Sequence, residues 1–150
     1  MSTPAPSAGD LCLVVGYDGS DSASRALAAA VRLLRGRTGQ IEVVYIAHLS
    51  SLEMFSAGAL GEMEEDFDEV EQELRAEAAK HMHGLEERWR FARRQGPIAE
   101  ELIMVAAAAR DAYASVVIVV GSSQHAAHRM VGSVAVSLAR HSPVPLIIVP

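Results

Sequence analysis

The sequence is poor in aromatic residues and nearly free of cysteine, and both shortages exclude whole classes of protein. Phe, Trp and Tyr together make up 5% of the 150 residues, so the core must be packed mainly with aliphatic side chains. The single cysteine, Cys12, excludes a disulfide within the chain and a zinc site built from several thiolates. Because Cys12 stands in an apolar run, we expect a buried, unreactive thiol.

Positive charge and long apolar runs are also scarce. The chain has 13 Lys and Arg against 19 Asp and Glu, a net charge of −6, which argues against a general nucleic-acid-binding protein. The longest uncharged apolar stretch, residues 102–109, is far shorter than the roughly 20 residues that a membrane span requires. We therefore expect a soluble, cytoplasmic protein that binds neither nucleic acid nor membrane.

The beginning of the chain differs in composition from the rest. Residues 1–9 are rich in Ser, Pro and Ala and lack the basic and apolar regions of a secretory signal, so we expect a disordered lead-in. Residues 10–150 then form one domain, which is long enough to bury a substantial core.

Strand and helix patterns alternate along that domain. Short apolar or alternating runs predict strands at residues 11–15, 41–47, 88–95, 116–120 and 145–149. Helical spacing predicts one helix between N-caps at Ser20–Ser22 and a stop near Gly36, and others at 62–87, 98–113 and 132–141. The order β-α-β-α-β-α-β-α-β indicates a parallel sheet with helices on both faces. Ligands of such sheets bind at the carboxyl ends of the strands, where the strand order reverses.

Two strand-to-helix turns have the composition of anion-binding sites. The first reads Val14-Val15-Gly16-Tyr17-Asp18-Gly19-Ser20, and in the second an apolar strand ends at Gly121 and a polar loop leads to Gly132-Ser133. Unpaired N–H groups and the helix dipole make a helix N-terminus attractive to phosphate, and glycine allows close approach. Both turns should lie at the same edge of the sheet.

Over residues 10–150 the chain resembles the universal stress protein family. The resemblance rests on the first turn, on Val119-Val120-Gly121-Ser122, on Gly132-Ser133-Val134 and on the closing Pro143-Val144-Pro145-Leu146-Ile147-Ile148-Val149-Pro150. It implies a Rossmann-like α/β fold, with a five-stranded parallel sheet of order 3-2-1-4-5 and helices on both faces. It also implies a homodimer that pairs through the last strand. Many members bind ATP or AMP, and others bind no nucleotide.

The resemblance assigns roles within a nucleotide pocket. It implies that Asp18 faces the adenine and ribose, that Ile46 packs on the adenine, and that Val120 and Gly121 lie under the ribose. The phosphates would meet the backbone and hydroxyl groups of the second turn, namely Ser122, Gly132, Ser133 and Val134. Arg129, in the loop between them, could supply a forked, charged contact to phosphate.

The loop departs from the pattern of the nucleotide-binding members. That pattern is glycine, two residues, glycine, nine residues, then Gly-Ser or Gly-Thr, whereas this chain has Gln124 at the second glycine and only seven residues before Gly132. The glutamine side chain would fill space that phosphates need, and a shorter loop encloses less of a triphosphate. We therefore expect ATP affinity to be weak or absent.

Three functional hypotheses remain open at this point. The chain is a regulatory module with a modified ATP or AMP pocket, in which Mg²⁺ enters only together with a nucleotide. Alternatively it is a nucleotide-free dimer that acts through an unknown protein partner, or, least favoured, a slow Mg²⁺-dependent ATPase. The sequence supplies no Gly-Lys-Ser/Thr phosphate loop, and no catalytic residue or metal ligand is assigned. The apolar last strand, Leu146–Val149, predicts the dimer, because an uncovered apolar edge invites pairing.

Overall fold

The computed structural model describes residues 9–47, 60–122 and 132–150, with only the backbone of residues 60–65. Strands and helices alternate throughout these segments. They are β1 (Gly9–Gly16), α1 (Asp21–Leu34), β2 (Gly39–Ala47), α2 (Leu60–Ala79), β3 (Trp89–Gln95), α3 (Ile98–Ala109), β4 (Tyr113–Gly121), α4 (Ser133–His141) and β5 (Leu146–Val149).

The five strands form one parallel sheet of order β3-β2-β1-β4-β5. Val15 of β1 is paired with Val43 of β2 on one side and with Val119 of β4 on the other. Each connection is a crossover through a helix, as parallel strands require. The predicted fold class is confirmed: a Rossmann-like α/β fold with the expected strand order.

Each face of the sheet carries its own apolar core, because alternate side chains of a strand point to opposite faces. On one face Leu13 and Val15 pack with the α1 residue Leu27 and with Met82. On the other face Val14 packs with residues of α3 and α4, including Leu102 and Leu138. Strand β1 is therefore buried from both sides, which explains its uninterrupted apolar sequence.

Helix α1 begins and ends as its sequence predicts. The Ser20 hydroxyl accepts a hydrogen bond from the Ala23 backbone N–H at 3.2 Å, so Ser20 is the N-cap. The apolar face is completely buried by the first core, and the helix stops before Gly36, whose φ of +73° is the left-handed conformation that glycine adopts readily.

The structure corrects the extents of two predicted helices. Helix α2 ends at Ala79, not at residue 87, because the chain continues in tight turns such as His81 N–H to Ala78 C=O, with Gly84 at φ +81°. The apolar spacing of Met82 and Leu85 reflects burial in those turns and not helix. Helix α3 ends at Ala109 and not at residue 113, since residues 110–112 form a turn and Tyr113 already pairs with Gly9 of β1 as the start of β4.

Smaller differences appear at two other places. Gly9, which we placed in the lead-in, is the first residue of β1, while residues 1–8 lie outside the described residues. Val70 of α2 is 38% exposed, although its spacing from Phe67 and Leu74 is that of an apolar helix face. No helix among the described residues combines the length and the apolar character that a membrane crossing needs.

Strands β3 and β5 are the two edges of the sheet, and β3 is protected by charge. Its Trp89 and Phe91 pack against the first core. Arg93 is ion-paired with Asp68 at 2.6 Å, and Arg94 with Glu101 at 2.9 Å. Arginines along an edge strand discourage pairing with another chain. Strand β5 consists of four partly buried apolar residues and has no such charges.

The packing of α1 on the sheet gives a direct stability test. Leu27→Ala should lower the free energy of unfolding by about 2–5 kcal/mol, because Leu27 is fully buried and its truncation leaves a cavity. Leu33→Ala, in the same helix, is the matched control, since Leu33 is 36% exposed and its truncation should cost below about 1 kcal/mol. Urea unfolding of both variants measures the difference. Equal losses would contradict the assigned face of α1.

Candidate functional site

A cavity of about 450 Å³ opens at the carboxyl ends of β1, β2 and β4. It lies where the connections diverge, because α1 follows β1 onto one face of the sheet and α4 follows β4 onto the other. Its volume is within the range of small-molecule sites. It is lined by Gly16, Tyr17, Asp18, Ser20, Asp21, Ser22, Ala23, Val44, Ile46, Ile98, Leu102, Val120, Gly121, Gly132, Ser133, Val134 and Ala135.

The inner part of the cavity is apolar. Val44 and Ile46 end β2 on the same face as Val120 of β4, and Leu102 of α3 packs in the same core. Gly16 allows these side chains to pack close to the end of β1, since a Cβ at that position would lie 3.3 Å from Leu102 Cδ1 and 3.5 Å from Val120 Cγ1. The result is an apolar slot that suits a flat ring.

The rim on the side of α1 is polar and is bonded internally. The Asp18 carboxylate accepts a hydrogen bond from the Ser20 N–H at 2.9 Å, and Gly19 between them has φ +80°. The Ser20 hydroxyl caps α1 and lies 3.2 Å from the Ser22 hydroxyl. Asp21 supplies an acid to the first turn of the helix. The Ser20 hydroxyl therefore satisfies one N–H of the first turn of α1, and the Asp21 carboxylate complements the positive end of the helix dipole.

The rim on the side of α4 is different. Gly132 is the N-cap and makes no side-chain cap hydrogen bond, and the first turn of α4 carries no acid. Intrahelical bonding starts with Val136 N–H to Gly132 C=O, at 3.1 Å. The N–H groups of the first turn thus lack intrahelical acceptors and can bind an anion.

Most of the predicted site residues come together at this cavity. Those that line it are Asp18, Ile46, Val120, Gly121, Gly132, Ser133 and Val134. Ser122 does not line it, and its N–H donates to the Val149 carbonyl at 2.8 Å, which extends the pairing of β4 with β5. Arg129, Gln124 and the intervening loop histidines lie outside the described residues.

Sequence reasoning missed several residues of the lining. Val44, Ile98 and Leu102 form much of the apolar slot, and Asp21 was read only as a helix cap. Val44 could have been found, because strand alternation puts it on the same face as Ile46. Ile98 and Leu102 are four residues apart on one helical face, but only the packing of α3 on the sheet brings that face to the cavity.

The structure gives a packing reason for glycine at position 121, which the sequence motif did not reveal. A Cβ there would collide with the backbone oxygen of Ser22, in the first turn of α1. The glycine therefore lets the end of β4 pack directly against the start of α1. This contact brings the two rims of the cavity together.

The groups with shifted pKa values lie away from the cavity, toward the opposite end of the sheet. Burial raises the pKa of the Cys12 thiol to about 12, and the nearby Glu42 carboxylate adds to that shift. Cys12 is free and buried, as predicted. Burial also raises the pKa of Glu42 and of Tyr113. Across the described residues no three His, Cys, Asp or Glu side chains are grouped to hold a metal ion.

The packing role of Gly121 can be tested by stability measurements without a ligand. Gly121→Ala should destabilise the protein by about 1–3 kcal/mol in the absence of any ligand, because backbone and not a flexible side chain opposes the new Cβ. Gly16→Ala is the control, since its Cβ meets only side-chain methyl groups that can shift. Thermal and urea unfolding measure both variants. A Gly121→Ala protein with the stability of the wild type would show that Gly121 is not in close contact with the Ser22 backbone.

Comparisons with known proteins agree with this architecture. A universal stress protein from Lactobacillus plantarum is 17% identical, with a TM-score of 0.72 over 95% of this chain and 99% of that one. A universal stress protein in complex with cAMP is 22% identical, with a TM-score of 0.65 over 95% and 98%. One from Archaeoglobus fulgidus in complex with dAMP is 18% identical, with a TM-score of 0.52 over 95% and 98%.

These likenesses to solved structures support the fold. A comparison with curated proteins finds no match. A model of the universal stress protein family matches residues 13–150. The match begins within β1 and includes every later strand and helix. Because this match covers most of the chain and the strand order agrees with it, the chain belongs to the universal stress protein family.

Proposed function

We propose that this protein is a regulatory module that binds an adenine nucleotide in the cavity at the ends of β1, β2 and β4. One observation carries the proposal: a single cavity joins an apolar slot to the open N-terminus of α4. A nucleotide has the matching chemistry, with a flat base at one end and an anionic group at the other. The two structural neighbours described as complexes with cAMP and dAMP support the same class of ligand.

Each part of the ligand has a counterpart in the cavity. The adenine lies in the slot between Ile46 and Val120, where burial of its faces supplies most of the affinity. The Asp18 carboxylate, held in place by the Ser20 N–H, faces the ribose hydroxyls as an acceptor. The phosphate lies at Gly132 and Ser133, where free N–H groups and the helix dipole stabilise its charge.

No catalytic step is part of this proposal. A nucleotide in the cavity touches α1, α3 and α4 at once. Because it binds only the folded state, it raises the free energy of unfolding in proportion to the logarithm of its concentration. The functional output is then a change in these three helices that a protein partner recognises. Mg²⁺ would enter only together with a nucleotide, and Asp18 and Asp21 are the carboxylates of the cavity that would hold it.

Calorimetric titration with AMP, ADP and ATP tests the proposed ligand. Ile46→Ala should weaken AMP binding by about 1–2 kcal/mol, or ~5–30-fold, because it removes apolar surface from the slot. Val136→Ala is the matched control, since Val136 is 38% exposed on α4 and does not line the cavity. Absence of heat with all three nucleotides at millimolar concentration would reject this function and favour the nucleotide-free dimer.

We also propose that two copies of the chain associate through β5. The strand is an edge of the sheet, and its residues are apolar and only partly buried. The carbonyls of Pro145 and Val149 accept hydrogen bonds from β4, so by alternation Leu146 and Ile148 direct their backbone groups to the free edge. Antiparallel pairing with a second β5 across a two-fold axis satisfies those groups.

Removing one outward donor should dissociate this dimer. Ile148→Pro eliminates the N–H on the free edge, and we expect the mass in light scattering to fall to that of the 16.0 kDa monomer. Ile148→Ala is the matched control, because it loses similar packing in the second core but keeps the N–H. Circular dichroism checks that both variants are folded. A folded Ile148→Pro protein that stays dimeric would place the interface elsewhere.

A further inference from the structure

We infer that residues 66–77 of α2, here called the detachable segment, leave the sheet in a local opening while the rest of the protein stays folded, and that ion pairs with Arg93 control this opening. The opening alters the turn between β1 and α1, which forms one rim of the cavity, because Leu74 of the segment packs on Gly19 of that turn. It is thus a switch in the rim of the cavity, whichever ligand the cavity binds.

Apolar packing fixes the C-terminal end of α2 but little of the detachable segment. Ala78 and the following Met82 are buried in the first core. Within the segment no residue is fully buried, and Phe67 and Leu74 are its only apolar residues that are even half-buried. Parts of a protein with few buried apolar contacts open at a lower free energy than its core does. The packed end at Ala78 therefore stays in place when the segment opens.

A chain of charges holds the detachable segment on the edge strand β3. The Arg93 guanidinium lies 2.6 Å from the Asp68 carboxylate and 3.4 Å from that of Glu71. Glu71 also pairs with Arg75 at 3.0 Å, and the Arg75 guanidinium lies 5.3 Å from the centre of the Phe91 ring. The side chains of Arg93 and Glu71 are 19% and 22% exposed. Their attraction is therefore stronger than that of a surface pair, but it still falls as salt is added.

The contact between Leu74 and Gly19 connects the detachable segment with the cavity. A Cβ on Gly19 would lie 2.6 Å from Leu74 Cδ2, so the Leu74 methyl group occupies the place of the missing side chain. Gly19 stands between Asp18 and Ser20, which line the cavity and are joined by a hydrogen bond. Opening of the segment removes the packing of Leu74 on this turn. Because such coupling is reciprocal, whatever fixes the turn from within the cavity also favours the docked segment.

Amide hydrogen exchange of the full chain, without ligand, tests the opening. Between about 0.05 M and about 0.5 M NaCl, the amides of the detachable segment should exchange roughly two- to tenfold faster, while those of β1 and β4 keep their rates. Glu71→Gln should accelerate the segment by a similar factor at low salt and weaken its response to salt. Glu69→Gln is the matched control, because it removes the same charge from an exposed position of α2 outside the chain of charges.

Nuclear magnetic resonance tests the connection to the rim. Arg93→Glu reverses the charge that holds the segment, so it should release the segment and shift the amide signals of Gly19 and Ser20. In a Leu74→Ala background the same substitution should no longer shift these two signals. Val70→Ala is the matched background, since Val70 is 38% exposed on the same helix, and there the shift should persist.

Three results would overturn the inference. The first is a detachable segment that exchanges no faster than β1 and β4, and the second is an exchange rate that neither salt nor Glu71→Gln changes. The third is an equal shift of the Gly19 and Ser20 signals by Arg93→Glu with and without Leu74. Protection of β1 and β4 from exchange shows that each variant is folded. Absence of nucleotide binding in calorimetry would overturn the proposed function alone, because none of these measurements uses a ligand.

Discussion

Strand β1 pairs in parallel with β2 on one side and with β4 on the other, and the positions of the other elements depend on that central pairing. Parallel neighbours require crossover helices, and the right-handed sense of such crossovers sends α1 to one face and the helices around β4 to the other. The space left where they part is the cavity. The cavity is therefore a consequence of strand order, before any polar residue is considered.

Two glycines at the edge of this cavity serve different physical purposes. A Cβ at Gly16 would meet only the methyl groups of Leu102, at 3.3 Å, and Val120, at 3.5 Å, and these side chains have space to shift. Gly121 has no such space, because the backbone of Ser22 occupies it. The first glycine lets Leu102 and Val120 pack close to the end of β1, and the second lets the end of β4 pack against the start of α1. Glycines in a motif that is typical of ligand binding thus also serve the packing of the fold.

The polar groups at the rim of the cavity also differ in what they do for the fold. Ser20 and Asp21 stabilise the start of α1 and lower its capacity to bind an anion, while Gly132 leaves the start of α4 uncommitted. The two helix N-termini at the cavity therefore differ both in capping and in the charge of the first turn. The buried Cys12 and its polar neighbours at the far end of the sheet have no part in this, since burial keeps the thiol neutral.

The sequence by itself determined the alternation of strands and helices, the parallel sheet and a helix N-cap within Ser20–Ser22, because these depend on local periodicity and on hydrogen bonds between near neighbours. Helix ends at residues 79 and 109 were misjudged, since apolar spacing continues through turns and strands whenever they are buried. Only the tertiary structure showed that Ile98 and Leu102 of α3 line the cavity beside Val44, and that Gly121 lies against Ser22. Those relations join residues far apart in the chain, and they depend on how the helices pack on the sheet, which local pattern does not encode.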